Sequence, residues 1–204
     1  MFLSLLLPLF PLEVVLFPHT AMPLHIFEPR YKEMIGECLA QEQPFGVVRA
    51  KESSLAEIGC SAEIIAVAKK YEDGKLDIVT EGRQRFRVQR VDHERSFLQG
   101  EVEYFDDDSE TAGEVEIESA LDLHREIVEL LGGEPPEEEI DQNQLSFQLA
   151  GSLPLDLDFK QTLLGLKSEN ERMTGLIEYY QAILPNLRRA VRARQKAGGN
   201  GHAG

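Results

Sequence analysis

The chain has 204 residues, 42% of them hydrophobic and 28% charged, with two cysteines and a formal net charge of −15. This composition is that of a globular protein able to bury a core as one domain or two small ones; it excludes wholesale disorder and a disulfide-stapled secreted scaffold. Five basic side chains and no acid fall in the last nineteen residues, leaving −20 on residues 1–185, a charge that repels phosphate backbones and argues against nucleic acid as a partner.

Phe2 to Phe17 is apolar, but Pro8, Pro11 and Glu13 cut it into short pieces. A bilayer-spanning helix needs about 20 apolar residues, and a secretory leader carries a basic start that is absent here. A buried strand is expected, with no membrane partner. Pro29 to Gln41 has proline in the first helical turn and Tyr31, Met34, Ile35 and Cys38 on one face, which predicts a helix closed by Pro44. Cys60–Tyr71 and Lys75–Glu81 read as strands joined at Asp73-Gly74, a dipeptide suited to the positive φ of a tight hairpin. Arg83 to Val91 alternates, with Arg83, Arg85 and Arg87 on one side and Gln84, Phe86 and Val88 on the other. Phe97 to Phe105 gives a further strand.

After Asp106-Asp107-Asp108 the period changes. Ile117, Ala120, Leu121, His124, Ile127, Val128 and Leu131 follow helical spacing until Gly132-Gly133. Gln142 to Ala150 predicts a shorter helix, and Asp158 with Gln161 has the spacing of a capping box opening the next. Ser168 with Glu171 opens a long helix striped by Met173, Leu176, Ile177, Tyr180, Ile183, Leu184, Leu187 and Val191, where Pro185 predicts a kink or break near Leu184. The expected organisation is therefore α+β: a β-rich subdomain over 1–108 with one embedded helix, a helical subdomain over 109–196, and a flexible tail over 197–204.

No catalytic constellation emerges. The chain lacks a phosphate loop and a Gly-x-Ser-x-Gly elbow. Ser168 beside Lys167 is better explained as a helix cap than as a nucleophile. His19 and His25 have no third ligand near them, and His124 sits on an apolar stripe, so no metal is assigned and no cofactor is implied. The acidic run Pro135–Asp141 lacks the spacing of a calcium loop. Cys38 and Cys60 stand outside any CxxC pattern and read as structural thiols in a reducing cytoplasm. Arg83, Arg85 and Arg87 are the candidate binding residues, a positive stripe for an acidic ligand or peptide, with a salt-bridged strand face as the plainer alternative. The basic end of the last helix complements the helix dipole.

Leu7-Pro8-Leu9-Phe10-Pro11-Leu12, Val14-Val15-Leu16-Phe17-Pro18 and Met22-Pro23-Leu24-His25-Ile26-Phe27-Glu28-Pro29-Arg30-Tyr31 together resemble the opening of the amino-terminal domain of Lon proteases. Glu81-Gly82-Arg83-Gln84-Arg85-Phe86 resembles that family's central glycine-arginine strand, and Leu149 to Leu166 its helical portion. The resemblance spans about residues 5–184. It implies a PUA-like β-barrel with an embedded helix, followed by an α-helical bundle, and a substrate-recognition role. The ATPase and Ser-Lys peptidase belong to other domains of such proteases and have no counterpart in this sequence. The resulting expectation is a non-catalytic module, free-standing from those domains, that binds unfolded or exposed apolar polypeptide segments and is free to form a homo-oligomer. The alternatives are a hydrolase with a site assembled from distant residues and an RNA-binding PUA-like protein.

Overall fold

The computed structural model describes residues 6–52, 54–134 and 144–199, with side chains through Arg194. The acidic run Pro135–Asp141 and residues 200–204 lie outside the described residues. The elements in chain order are β1 (Leu7–Leu12), β2 (Ala21–Ile26), α1 (Pro29–Gln41), β3 (Phe45–Lys51), β4 (Ser54–Lys70), β5 (Leu76–Asp92), β6 (Gln99–Tyr104), α2 (Glu114–Leu131), α3 (Leu145–Ser152), α4 (Leu157–Gly165) and α5 (Glu169–Gly199). This is the α+β fold expected, with β3 added to the strands read from the sequence.

The strands form one sheet in the order β2-β5-β4-β3-β1-β6, and a further pairing of β5 with β6 closes it into a ring. β1 and β3 run parallel while the other neighbours are antiparallel. Closure is possible because β5 is 17 residues long: its first part pairs with β2 and its last part with β6. Leu7, Leu9, Val48 and Phe86 fill the barrel, with Val88, Val91 and Val102 against them. The Phe86 ring fits because Gly46 and Gly59 carry no side chain where it lies.

Outside the barrel, Phe10 of β1 meets the Tyr31 ring of α1 at 4.1 Å between centroids. Tyr31, Met34, Ile35 and Cys38 are all buried, so the helical stripe read from the sequence is the face α1 presents to its neighbours. Gly74, at φ 78°, makes the β4–β5 turn.

By contact the chain divides into two compact units, Met1–Asp106 with Pro154–Gly165, and Asp107–Leu153 with Leu166–Gly204. A single boundary near residue 108 therefore does not describe it, because α4 groups with the strands. Gln161 donates to the Ile58 carbonyl at 3.0 Å, and Asp158 accepts from Arg49 at 2.7 Å and Lys51 at 3.0 Å. The expected capping box at Asp158 is corrected accordingly. Asp156 caps α4, accepting from the amides of Asp158 and Phe159 at 2.9 and 3.0 Å, which leaves the Asp158 carboxylate to the two cations.

In the second unit α2 buries Ala120, His124, Ile127 and Val128 and ends at Gly132 in the left-handed region. Met173, Leu176, Tyr180 and Leu184 of α5 are buried. α5 runs without interruption through Pro185, and to Gly199, further than expected. The expected break fails for a local reason: Pro185 and Gln181 are both exposed, so the carbonyl that loses its helical partner faces water while Tyr180 and Leu184 anchor the opposite face. Ser168 caps α5 as expected, accepting from the Glu171 amide at 3.2 Å.

Candidate binding site at the open edge of β4

β3 begins at Phe45, opposite Ala62, but β4 continues to Lys70. From Glu63 onward β4 has β5 on one side and, among the described residues, no strand on the other. The exposed stretch is apolar, Ile64-Ile65-Ala66-Val67-Ala68, and the Ile65 side chain is 50% exposed. Beyond β5 lies β2, whose outer edge likewise has no strand partner among the described residues but contains Pro23, which has no amide to offer a further strand.

A cleft of about 580 Å³ lies where β3 and β4 part company, of a size that takes a few side chains of a ligand. Leu39, Glu42, Gln43 and Pro44 form one wall and Ser61, Glu63, Ile64 and Arg83 the other, with Cys38 among the lining. Glu42 adopts the left-handed conformation, φ 51°, and turns the chain out of α1 so that Pro44 leads into β3. Burial, followed by the charge of Glu37, pushes the Cys38 thiol up to about 11, so at neutral pH it stays protonated and is a poor nucleophile. The Ser61 hydroxyl is held by the Gln84 backbone, donating to its carbonyl and accepting from its amide, both at 3.1 Å.

That Ser61 contact marks a β-bulge, and the bulge rearranges the three candidate arginines. Ser61 stands opposite both Arg83 and Gln84, which interrupts the alternation. Arg83 lines the cleft and pairs with Glu63 at 2.5 Å and with Glu81. Arg87 is exposed and pairs with Glu57 at 3.1 Å. Arg85 is buried, donates to the Leu164 carbonyl of α4 at 2.9 Å and lies over the Phe105 ring. The structure thus does not bring them together as one open stripe: α4 covers the middle one, and carboxylates flank the outer two.

The histidines take separate roles. His25 Nδ1 lies 2.6 Å from Asp77, which also accepts from the Tyr71 hydroxyl at 2.7 Å, whereas His19 lies at the other end of β2, 4.0 Å from Glu81. His124 is buried against Ser152 at 2.8 Å. No group of His, Cys, Asp and Glu able to hold a metal occurs among the described residues. Nor is any described helix long and apolar enough to cross a membrane. The cleft residues Glu42, Gln43, Pro44 and Ile64 were not visible as a set in the sequence; only Arg83 was, through its alternating neighbours.

These features define an α+β protein whose barrel carries a ribbon with an open, apolar strand edge. The sequence model of the ATP-dependent protease La (LON) substrate-binding domain matches residues 6–181, and the chain belongs to that family. It is 25% identical to the Lon protease of Escherichia coli K12, over 93% of this chain and 26% of that protein, and 28% identical to the Lon protease of Anaeromyxobacter dehalogenans, over 84% and 22%. The chain thus spans about a quarter of the length of these curated relatives. A Lon N-terminal domain protein from Xanthomonas campestris superposes with a TM-score of 0.70 at 27% identity, covering 86% of this chain and 98% of that one. The N-terminal domain of Lon protease from the Mycobacterium avium complex, at 16% identity and a TM-score of 0.61, shares the fold.

Proposed function

We propose that this chain is a non-catalytic recognition module that binds unfolded or extended apolar polypeptide segments by adding them as a strand to the β4 edge. The observation that carries this reading is the continuation of β4 past the start of β3, which leaves Glu63–Lys70, among the described residues, with a strand partner on one side alone. Backbone pairing at an open edge is indifferent to guest sequence, and neighbouring pockets add preference for side chains, a division suited to varied clients. The apolar run Ile64–Ala68 and the adjoining cleft supply that preference. Family membership supports the role, and the protonated Cys38 thiol and the engaged Ser61 hydroxyl support binding rather than turnover. The two buried, unpaired thiols fit a reducing compartment such as the cytoplasm.

The test is hydrogen exchange with and without a saturating valine- and isoleucine-rich peptide. Slowed exchange confined to amides of Glu63–Lys70 and the cleft is expected. Binding without protection there would place the site elsewhere. In parallel, incubation with casein, with and without ATP, is expected to yield no cleavage and no phosphate release above a buffer control.

A further inference from the structure

Resting on the edge-pairing reading above, we infer that the β4 edge selects the direction and charge order of its guest: a segment running antiparallel to β4, with acidic residues before its apolar run and basic residues after it. The two ends of the open edge differ in charge. Among the described residues, Glu42, Glu63 and Glu81 stand at the cleft end, with Arg83 between the last two and His19 4.0 Å from Glu81. At the turn end, Lys69, Lys70 and Lys75, with Lys32 brought in by its bond to the Asp73 carbonyl at 2.8 Å, outnumber Glu72, Asp73 and Asp77. In a chain of net charge −15, a turn where cations are in excess is an exception to the surrounding field.

Direction follows from the neighbours. β4 pairs antiparallel with β3 and with β5, and antiparallel ladders are slightly more stable per residue than parallel ones. A guest that continues the line of β3 has its carboxyl-terminal end beside Glu63, where Pro44 and the start of β3 stop it, and its amino-terminal end beside Lys69 and Lys70. Complementary charges then require acid first and base last. Lys69 and Lys70 are exposed, so their ion pairs with a guest are individually weak and act as a bias rather than as the main source of affinity.

The experiment uses the full chain and two labelled peptides with blocked ends and one composition, two aspartates and two lysines flanking a valine-threonine core, in the two opposite charge orders. Fluorescence anisotropy at low salt is expected to give about fivefold tighter binding of the aspartate-first peptide, the scale of two exposed ion pairs. A K69E/K70E double variant, expected to fold normally because both side chains are exposed, should reverse or abolish that preference. Equal affinities, a lysine-first preference, or a preference unchanged in the double variant would overturn the directional inference while leaving edge binding intact. Failure of both peptides to bind would overturn edge binding itself, and the direction with it.

Discussion

Arg172 clasps Asp107 with both terminal guanidinium nitrogens, Nη1 lying 2.9 Å and Nη2 2.5 Å from the two carboxylate oxygens, and Arg172 has no solvent exposure. The same guanidinium bonds Glu169, Ser146 and the Leu166 carbonyl and lies 4.2 Å from the centre of the Phe147 ring. One side chain thus ties the segment leaving the strands, the start of α3 and the first turn of α5, all within the helical unit.

Removing one member of such a cluster leaves the others buried without compensation. Arg172→Met is expected to cost about 3–5 kcal/mol, because Glu169, 3% exposed, would lose its cation. Adding Glu169→Gln should recover part of that loss, since a neutral amide then replaces the buried carboxylate. Urea unfolding of the two variants checks both points. A double variant less stable than the single one would show that Glu169 is stabilised by Ser146 alone.

Glycine substitutions separate a backbone clash from a propensity effect. A Cβ at Gly82 would fall on the Phe17 carbonyl, where the chain crosses β5 and is fixed by His19 donating to the Gly82 carbonyl at 2.8 Å. Gly82→Ala should therefore destabilise by about 1–3 kcal/mol, the usual scale of overpacking. Gly36, in the middle of α1, has nothing within 4 Å of its Cβ position, so Gly36→Ala should stabilise by about 0.5–1 kcal/mol. Thermal unfolding of both gives opposite signs if the reading is right.

Features set by near neighbours in the chain were legible in the sequence. The α1 stripe, the Asp73-Gly74 turn and the Ser168 cap each follow from residues a few positions apart. What stayed hidden depends on distant pairing. The Ser61 bulge is a mismatch of residue count between β4 and β5, and no periodicity within Arg83–Val91 reports it, so the alternation alone puts Arg85 with its neighbours rather than beneath α4. Asp158 has the spacing of a cap, and its true partners Arg49 and Lys51 lie more than a hundred residues away. Arg172 stands in a charged stretch, Glu-Asn-Glu-Arg, and is fully buried. The candidate edge exists because β3 starts opposite Ala62 and not later, a matter of register.

His124 supplies a pH dependence. Ser152 donates its hydroxyl to the Leu149 carbonyl at 3.0 Å, so the imidazole Nε2 donates to Ser152, and burial lowers the histidine below its ordinary value of 6.5. The folded state therefore favours neutral imidazole. As the pH falls below about 6.5 the unfolded chain gains a proton that the folded one resists, so this contribution to stability is complete above that pH and is lost below it. Melting temperatures of the wild type should fall more steeply between pH 7.5 and 5.5 than those of His124→Gln, which keeps a donor for Ser152. Equal slopes would mean that the buried imidazole titrates as freely as an unfolded one.

Salt should separate the two contributions to recognition. The body carries −20 over residues 1–185, and at about 0.01 M salt its field reaches roughly 30 Å, against about 8 Å at 0.15 M. A basic apolar peptide should then associate faster than an acidic one of the same apolar core at low salt, with the difference in association rate shrinking as salt rises. Backbone pairing along Glu63–Lys70 and burial against Ile64 and Val67 do not depend on that field, so dissociation rates should change little. Stopped-flow fluorescence across the salt series measures both rates. A salt effect confined to dissociation, or faster association of the acidic peptide at low salt, would show that the net charge does not guide the encounter.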